Sequence, residues 1–231
     1  MSKKLLISNA LNIIEEVSPP TEGLLAWYDA SDRTGNTSLN DKSGNGKSLD
    51  CNITWATFNT NSIDINYTEA YTMPTTYNLQ SSGEFSIVYH IDTTKCRTNI
   101  ASWDSRLMCM SGEYTDTIGY WLSMAGNGML MFYNGYEILP DNSIDTPPLG
   151  DTVVCVTASV STFKVYINGS LVTTVSNTAH CILGYLSIAL LGVHSYNNKN
   201  SYTYYSSYVY NKVLTDSEVL QIYNYEVSIP R

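Results

Sequence analysis

The residues best suited to covalent chemistry are few: three histidines (His90, His180, His194) and five cysteines (Cys51, Cys96, Cys109, Cys155, Cys181). Imidazole and thiolate together make nucleophilic dyads or soft-metal sites. Their spacing here supports neither. No G-x-S-x-G elbow and no C-x-x-C pair occurs. His180 adjoins Cys181, yet neighbours on a strand point to opposite faces, so adjacency alone makes no dyad. His90 lies in the strand-like run "SIVYHID" and reads as a structural or an exposed strand residue. Cys155, inside "TVVCVTASV", reads as a small buried thiol. An odd cysteine count without paired spacing points away from a disulfide framework, and reduced thiols suit folding in a cytoplasm.

Groups that bind without breaking bonds are more plentiful. The chain has 19 Tyr against 4 Phe, and charged residues make up only 14% of it. Tyr supplies aromatic area with a hydroxyl that tolerates water, which suits contact surfaces. Three stretches combine flat aromatics with amides or carboxylates, the composition a sugar site uses. They contribute Trp103, then Tyr120 and Trp121, then Tyr196, Asn197, Asn198 and Tyr202. The plainer reading is that such residues keep a weakly charged surface soluble or pack on a neighbouring subunit. A separate group is Asp41 with the turn Gly44-Asn45-Gly46. It reads as a tight turn with an Asx hydrogen bond.

These groups need a scaffold, and the scaffold reads as β. Hydrophobic residues make up 43% of the 231, ample for one large core. Strand patterns occupy 23–31, 62–67, 84–92, 152–160, 163–168, 170–175, 185–193 and 202–211, with 99–105 a further candidate. Residues 119–139 read as a meander turning at Gly126–Gly128 and Asn134-Gly135. Asn168-Gly169 between "FKVYI" and "SLVTTV" specifies a type I′ hairpin, because both residues tolerate positive φ. One helix is announced by Thr215 and Glu218, an S/T-x-x-E capping box, with Leu214 and Val219 as its hydrophobic staple. No βαβ alternation appears. The expectation is all-β: an antiparallel β-sandwich of jelly-roll type with one short C-terminal helix.

The first 20 residues differ in texture. Leu6, Ala10, Ile13, Ile14 and Val17 have helical spacing, and Pro19-Pro20 makes a stiff joint. Ser8, Asn9 and Asn12 interrupt the apolar stretch, Glu15-Glu16 follow it, and no small-residue cleavage site is evident, so a signal peptide is not expected. Residues 1–20 read as a docking arm whose apolar contacts are Leu5, Leu6, Leu11, Ile13 and Ile14, and 21–231 as the sandwich domain. Net charge is -9, and no basic cluster follows Lys3-Lys4, so nucleic acid is not an expected partner. No apolar run has the length of a membrane helix.

Taken in order, three segments resemble concanavalin A-like lectin/glucanase domains of the laminin-G-like kind. They are "GLLAWYDASD…LNDKSGNGKSL", "FKVYINGSLVTT" and "YSSYVYNKVLTDSEVLQIYNYE", the last carrying Tyr210, Asn211, Leu214, Thr215 and Glu218. Together they span residues 23 to about 226. The fold hosts lectins, hydrolases, adhesion modules and virion proteins. Hydrolytic members carry E-x-D-x-x-E or E-x-D-x-E on one strand, supplying the two carboxylates that glycoside hydrolysis requires. None of the nine Glu residues begins either pattern. Many relatives bind calcium. The resemblance would place donors at Asp41, at the carbonyls near Gly44–Gly46, and at a last-strand position occupied here by Ser206, a poorer ligand than a carboxylate. The chain is thus expected to be non-enzymatic and without a cofactor, calcium being the alternative. It resembles lectin-like structural proteins of bacteriophage: a decoration or fibre protein, made in the host cytoplasm and carried on the virion. The arm would hold it to other virion proteins in a larger assembly or oligomer, and the sandwich would be free to touch host or mucosal glycans. The alternative is a carbohydrate-binding module of a bacterial surface or secreted protein.

Overall fold

In the computed structural model the described residues are 18–52, 56–65, 71–72, 75–78, 84–94, 106–111, 120–124, 130–133, 150–176, 185–189 and 201–231. They form sixteen strands and one helix. In chain order the strands are β1 (Leu24–Thr34), β2 (Ser38–Asp41), β3 (Leu49–Asn52), β4 (Ala56–Phe58), β5 (Ile63–Ile65), β6 (Tyr71–Thr72), β7 (Thr75–Asn78) and β8 (Phe85–Asp92). They continue with β9 (Arg106–Ser111), β10 (Tyr120–Met124), β11 (Leu130–Tyr133), β12 (Asp151–Ala158), β13 (Thr162–Ile167), β14 (Ser170–Ser176), β15 (Tyr185–Ala189) and β16 (Tyr202–Tyr210). The helix α1 (Asp216–Ser228) closes the order.

Two antiparallel sheets make a β-sandwich, as the hairpin chemistry and the lack of βαβ units predicted. The larger runs β14-β13-β12-β8-β16-β1-β2-β3-β6, with β5 also on β16 and β4 on β5; the smaller runs β11-β10-β9-β15-β7. The type I′ hairpin is present, with φ of 50° at Asn168 and 76° at Gly169. Asn168 also ties the turn to β12: its N–H donates to the Val153 carbonyl at 2.8 Å, and its Oδ1 accepts from the Val153 N–H at 2.9 Å. The short strands β2, β3, β4, β6, β7 and β9 were not anticipated as separate elements, since two to six residues carry little alternation to read. The 99–105 candidate and the turns at Gly126–Gly128 and Asn134-Gly135 lie outside the described residues.

The central strands are covered on both faces. On β8, Phe85, Ile87, Tyr89 and Ile91 join one core with Ala26, Tyr28, Val154, Val156, Val165, Tyr204 and Val209. The opposite face carries Val88, Val153, Cys155, Tyr166, Tyr208 and Tyr210, packed under Leu214, Val219 and Ile222 of the helical segment. The helix begins as its sequence predicts: the Glu218 N–H donates to Thr215 Oγ1 at 3.3 Å, and the Thr215 N–H donates to Glu218 Oε2 at 2.9 Å. Ser86 fastens the approach to the helix, donating to the Lys212 carbonyl and accepting from the Leu214 N–H.

One irregularity redirects side chains. On β16, Tyr204 pairs with Ile91 and Ser206 with His90, so Tyr205 is an extra residue in the ladder. Before it, Tyr202 and Tyr204 lie in the interior core; after it, Tyr208 and Tyr210 lie under the helix. A β-bulge of one residue exchanges the faces in this way because the strand period is two.

Candidate functional site

The bulge sits beside a cluster of charges between the larger sheet and α1. His90, on the helix side of β8, is fully buried. Its Nδ1 lies 2.6 Å from Oε2 of Glu226, and its Nε2 is hydrogen-bonded to Asp151 at the start of β12. Ionised carboxylates only accept, so both contacts are satisfied when the ring carries a proton on each nitrogen. Glu226, near the end of α1, is 0% exposed. Tyr208 Oη donates to its Oε1, and Arg231 Nη2 donates to its Oε2. Burial would raise the Glu226 pKa, but the His90 hydrogen bond, the Arg231 charge and the Tyr208 hydroxyl outweigh it and hold the carboxyl below its ordinary range.

Arg231 and Lys42 extend the cluster to β1. Asp29 Oδ2 lies 3.7 Å from Arg231 Nη1 and 3.8 Å from Lys42 Nζ, while its Oδ1 accepts from the Ser31 N–H and Oγ. The bulged Tyr205 lies against the His90 ring at 4.8 Å between centroids, with the Arg231 guanidinium 5.2 Å from its own ring centre. Burial, and then the charges of Asp151 and Asp92, push its phenol pKa up. Trp27 stacks on Tyr208 at 5.5 Å and meets Tyr225 edge-on at 5.7 Å, with Lys42 Nζ 4.4 Å above its ring. The chemistry of this arrangement is cohesion. Cations and carboxylates alternate and neutralise one another, and they clamp α1 and residue 231 to β1, β8, β12 and β16.

The sequence did not single out Asp29, Asp151, Glu226 or Arg231. One signal was available: Glu226 continues the Val219–Ile222 apolar side of the helix, so an acid stands where the pattern asks for a core residue. His90 similarly follows Ser86 and Val88 on the buried outer face of its strand. Of the two readings, structural or exposed, the structure gives the structural one: the ring is buried between two carboxylate partners.

The Asp41 carboxylate caps its turn through three backbone hydrogen bonds. Asp41 Oδ1 accepts from the backbone N–H of Trp27 at 3.1 Å and of Ser43 at 2.9 Å, and its Oδ2 accepts from that of Lys47 at 3.0 Å. Asp41 pairs with Tyr28 on one side of β1, while Ser206 is buried opposite Asp29 on the other. The two positions proposed to share a calcium ion therefore flank β1 from opposite sides. Among the described residues no group of three or more His, Cys, Asp or Glu could hold a metal ion.

Of the residues picked for a sugar site, Tyr120 and Trp121 open β10, with Tyr120 opposite Met110 and Trp121 opposite Cys109 and Tyr133. Tyr202 is corrected: it is a strand residue, 3% exposed in the interior core, and offers no surface to a ligand. Its aromatic body and its place before the bulge send it inward. Trp103, Tyr196, Asn197 and Asn198 lie outside the described residues. So do the docking residues Leu5, Leu6, Leu11, Ile13 and Ile14. Of the arm, residues 18–20 are described, and they are tied to the sandwich: Tyr210 Oη donates to the Pro20 carbonyl at 3.0 Å.

No protein family matches the chain, and no curated protein sequence does. Solved structures do match in shape. Botulinum neurotoxin type C, which depends on interaction with two ganglioside molecules to enter cells, superposes with a TM-score of 0.62 at 14% identity, covering 88% of this chain and 51% of that one. The sialidase of Trypanosoma rangeli, in complex with 2,3-difluorosialic acid, gives 0.64 at 14% identity, covering 89% and 33%. The binding domain of Paraclostridial Mosquitocidal Protein 1 gives 0.63 at 16% identity, covering 88% and 52%. The chain thus spans about half the length of the toxin chains and a third of the sialidase chain. The class these likenesses and the two sheets define is an antiparallel β-sandwich with one short C-terminal helix.

Proposed function

We propose that the chain is a non-enzymatic carbohydrate-binding domain. The observation that carries this reading is the superposition of nearly the whole chain on toxin binding domains, one of them from a toxin that engages gangliosides. A second feature supports the non-catalytic part. Asp29, Asp41 and Glu226 each accept several hydrogen bonds or ion pairs that hold the fold, whereas a glycosidase keeps two carboxyls facing its substrate. The sugar contacts are assigned to Trp103, Tyr120, Trp121, Tyr196, Asn197 and Asn198, where aromatic faces and amides supply stacking and directional hydrogen bonds. In its biological setting the domain is a bacteriophage virion protein of the decoration or fibre kind, with residues 1–20 as the contact to other virion proteins. That setting rests on the sequence resemblance.

The test is a glycan array probed with the purified full-length chain, sialylated and neutral oligosaccharides included. Selective binding that is lost in Tyr196→Ala/Asn197→Ala/Asn198→Ala, at unchanged thermal stability, is expected. A chain that binds no glycan at millimolar concentration, or that cleaves one, overturns the reading. Mass spectrometry of purified particles addresses the setting separately, since a virion protein must be recovered from them.

A further inference from the structure

Arg231 enters the charge cluster with the tip of its side chain. Nη2 donates to Oε2 of Glu226, and Nη1 lies 3.7 Å from Oδ2 of Asp29. The guanidinium carbon stands 5.2 Å from the centre of the Tyr205 ring, the residue that the β16 bulge inserts into the ladder. The side chain is 9% exposed, and Nε is buried without a hydrogen-bond partner among the described residues. The contacts that recognise Arg231 are thus made by the planar end of the group, from Nη1 across the central carbon to Nη2.

The acceptors are held by other groups. Glu226 Oε1 accepts from Tyr208 Oη, and its Oε2 also meets His90 Nδ1 at 2.6 Å. Asp29 Oδ1 accepts from the Ser31 N–H at 2.8 Å and from Ser31 Oγ at 2.6 Å. These partners lie on β16, β8 and β1, so the two carboxylates are positioned independently of Arg231. Their charge calls for a cation. Without Arg231 the cluster sets three carboxylates, Asp29, Asp151 and Glu226, against Lys42 and a protonated His90. The chain that delivers Arg231 is lightly tied by comparison. The Ile229 N–H donates to the Glu226 carbonyl and Asn61 Nδ2 to the Pro230 carbonyl, both at 3.4 Å, the long end of the range, and Pro230 is exposed.

We propose that Glu226, Asp29 and Tyr205 form a binding site for a guanidinium group, which Arg231 fills from within the chain and which an arginine side chain of another protein fills once residues 229–231 are drawn aside. The fork selects the ligand class. A planar guanidinium faces two separate carboxylates and lies over an aromatic ring at once, whereas an ammonium is a point charge. The tether makes Arg231 the resident occupant, since its effective concentration at the site is on the order of millimolar or above. The inference stands apart from the proposed glycan binding, which uses other residues.

Chemical complementation of the full-length chain tests it. Arg231→Ala is expected to melt at a lower temperature than the unaltered chain. Ethylguanidinium should raise that temperature along a saturating curve, with a dissociation constant on the order of millimolar for so small a ligand. N-acetyl-arginine amide, standing for a protein's arginine, should do the same. Ethylammonium carries the same charge without the fork and should be at least roughly tenfold less effective. The unaltered chain, whose site is filled, should respond to none of them. Should Arg231→Ala not fold by itself, the same additions are read as recovery of the folded circular dichroism signal. No recovery with ethylguanidinium overturns the proposal. So does equal recovery with ethylammonium, which would mean that any cation serves, and so does an equal response of the unaltered chain. Recovery with ethylguanidinium but not with N-acetyl-arginine amide overturns the assignment to a protein's arginine.

Discussion

Oε2 of Glu226 lies 2.6 Å from Nδ1 of His90, although the two residues are 136 positions apart in the chain. The contact joins the helix to the centre of the larger sheet at a site where neither side chain reaches water, and Arg231 and Tyr208 meet the same carboxylate. Removing one partner of such a group leaves the others buried without compensation. Glu226→Gln is therefore expected to lower stability by about 3 kcal/mol. Urea unfolding at neutral pH measures this, and a change below about 0.5 kcal/mol, the range of an exposed pair, would show that the cluster does not bind helix to sheet.

The same carboxylate sets an acid limit. Its folded pKa is lowered from the ordinary 4.5, since its hydrogen bonds and the charges of His90 and Arg231 outweigh burial. A group whose folded pKa lies below its unfolded one stabilises fully above the unfolded value and loses that contribution as pH falls through the folded one. Urea midpoints should thus decline as pH drops from about 4.5 downward. Glu226→Gln should flatten part of the decline; superimposable slopes for the two proteins would contradict the assignment.

Gly169 is the second residue of the β13–β14 turn, at φ 76°, and a β-carbon there meets Leu220. Gly169→Ala is expected to cost about 1–2 kcal/mol, mostly from the left-handed backbone. The end of a leucine can shift, so combining it with Leu220→Ala should restore only a minor part. Full recovery in the double variant would place the cost in the contact instead.

Cys155 lies within β12 on the helix-covered face, and burial pushes its thiol pKa far above the ordinary value of 9.0. The thiolate is the reactive form, so alkylation should spare this residue in the native protein and reach it only on unfolding. Peptide mapping after brief iodoacetamide treatment, with and without urea, reads this directly. Rapid native labelling at Cys155 would mean that α1 opens readily.

Local signals carried much of the architecture. Asn168-Gly169 fixed a hairpin because few residues accept positive φ at two successive positions. Thr215 and Glu218 fixed a helix start because they satisfy backbone donors that no other group reaches. The run "FSIVYHID" announced a strand, which the structure gives as β8. These are interactions within a few residues of one another, and so they are written in the order of the chain.

What needed the tertiary structure was everything that joins distant segments. Tyr202 reads as a polar-tipped loop aromatic until the strand and its bulge turn it inward. Asp29, His90, Asp151, Glu226 and Arg231 are unremarkable one by one, and their meaning comes from β1, β8, β12 and α1 converging on one point. The sequence alone determined an antiparallel β chain with one capped helix and few groups fit for catalysis. Which charges are neutralised in the interior, which aromatic faces remain outside and where the arm leaves the sandwich were decided by packing, because burial and charge pairing depend on neighbours that the order of residues does not name.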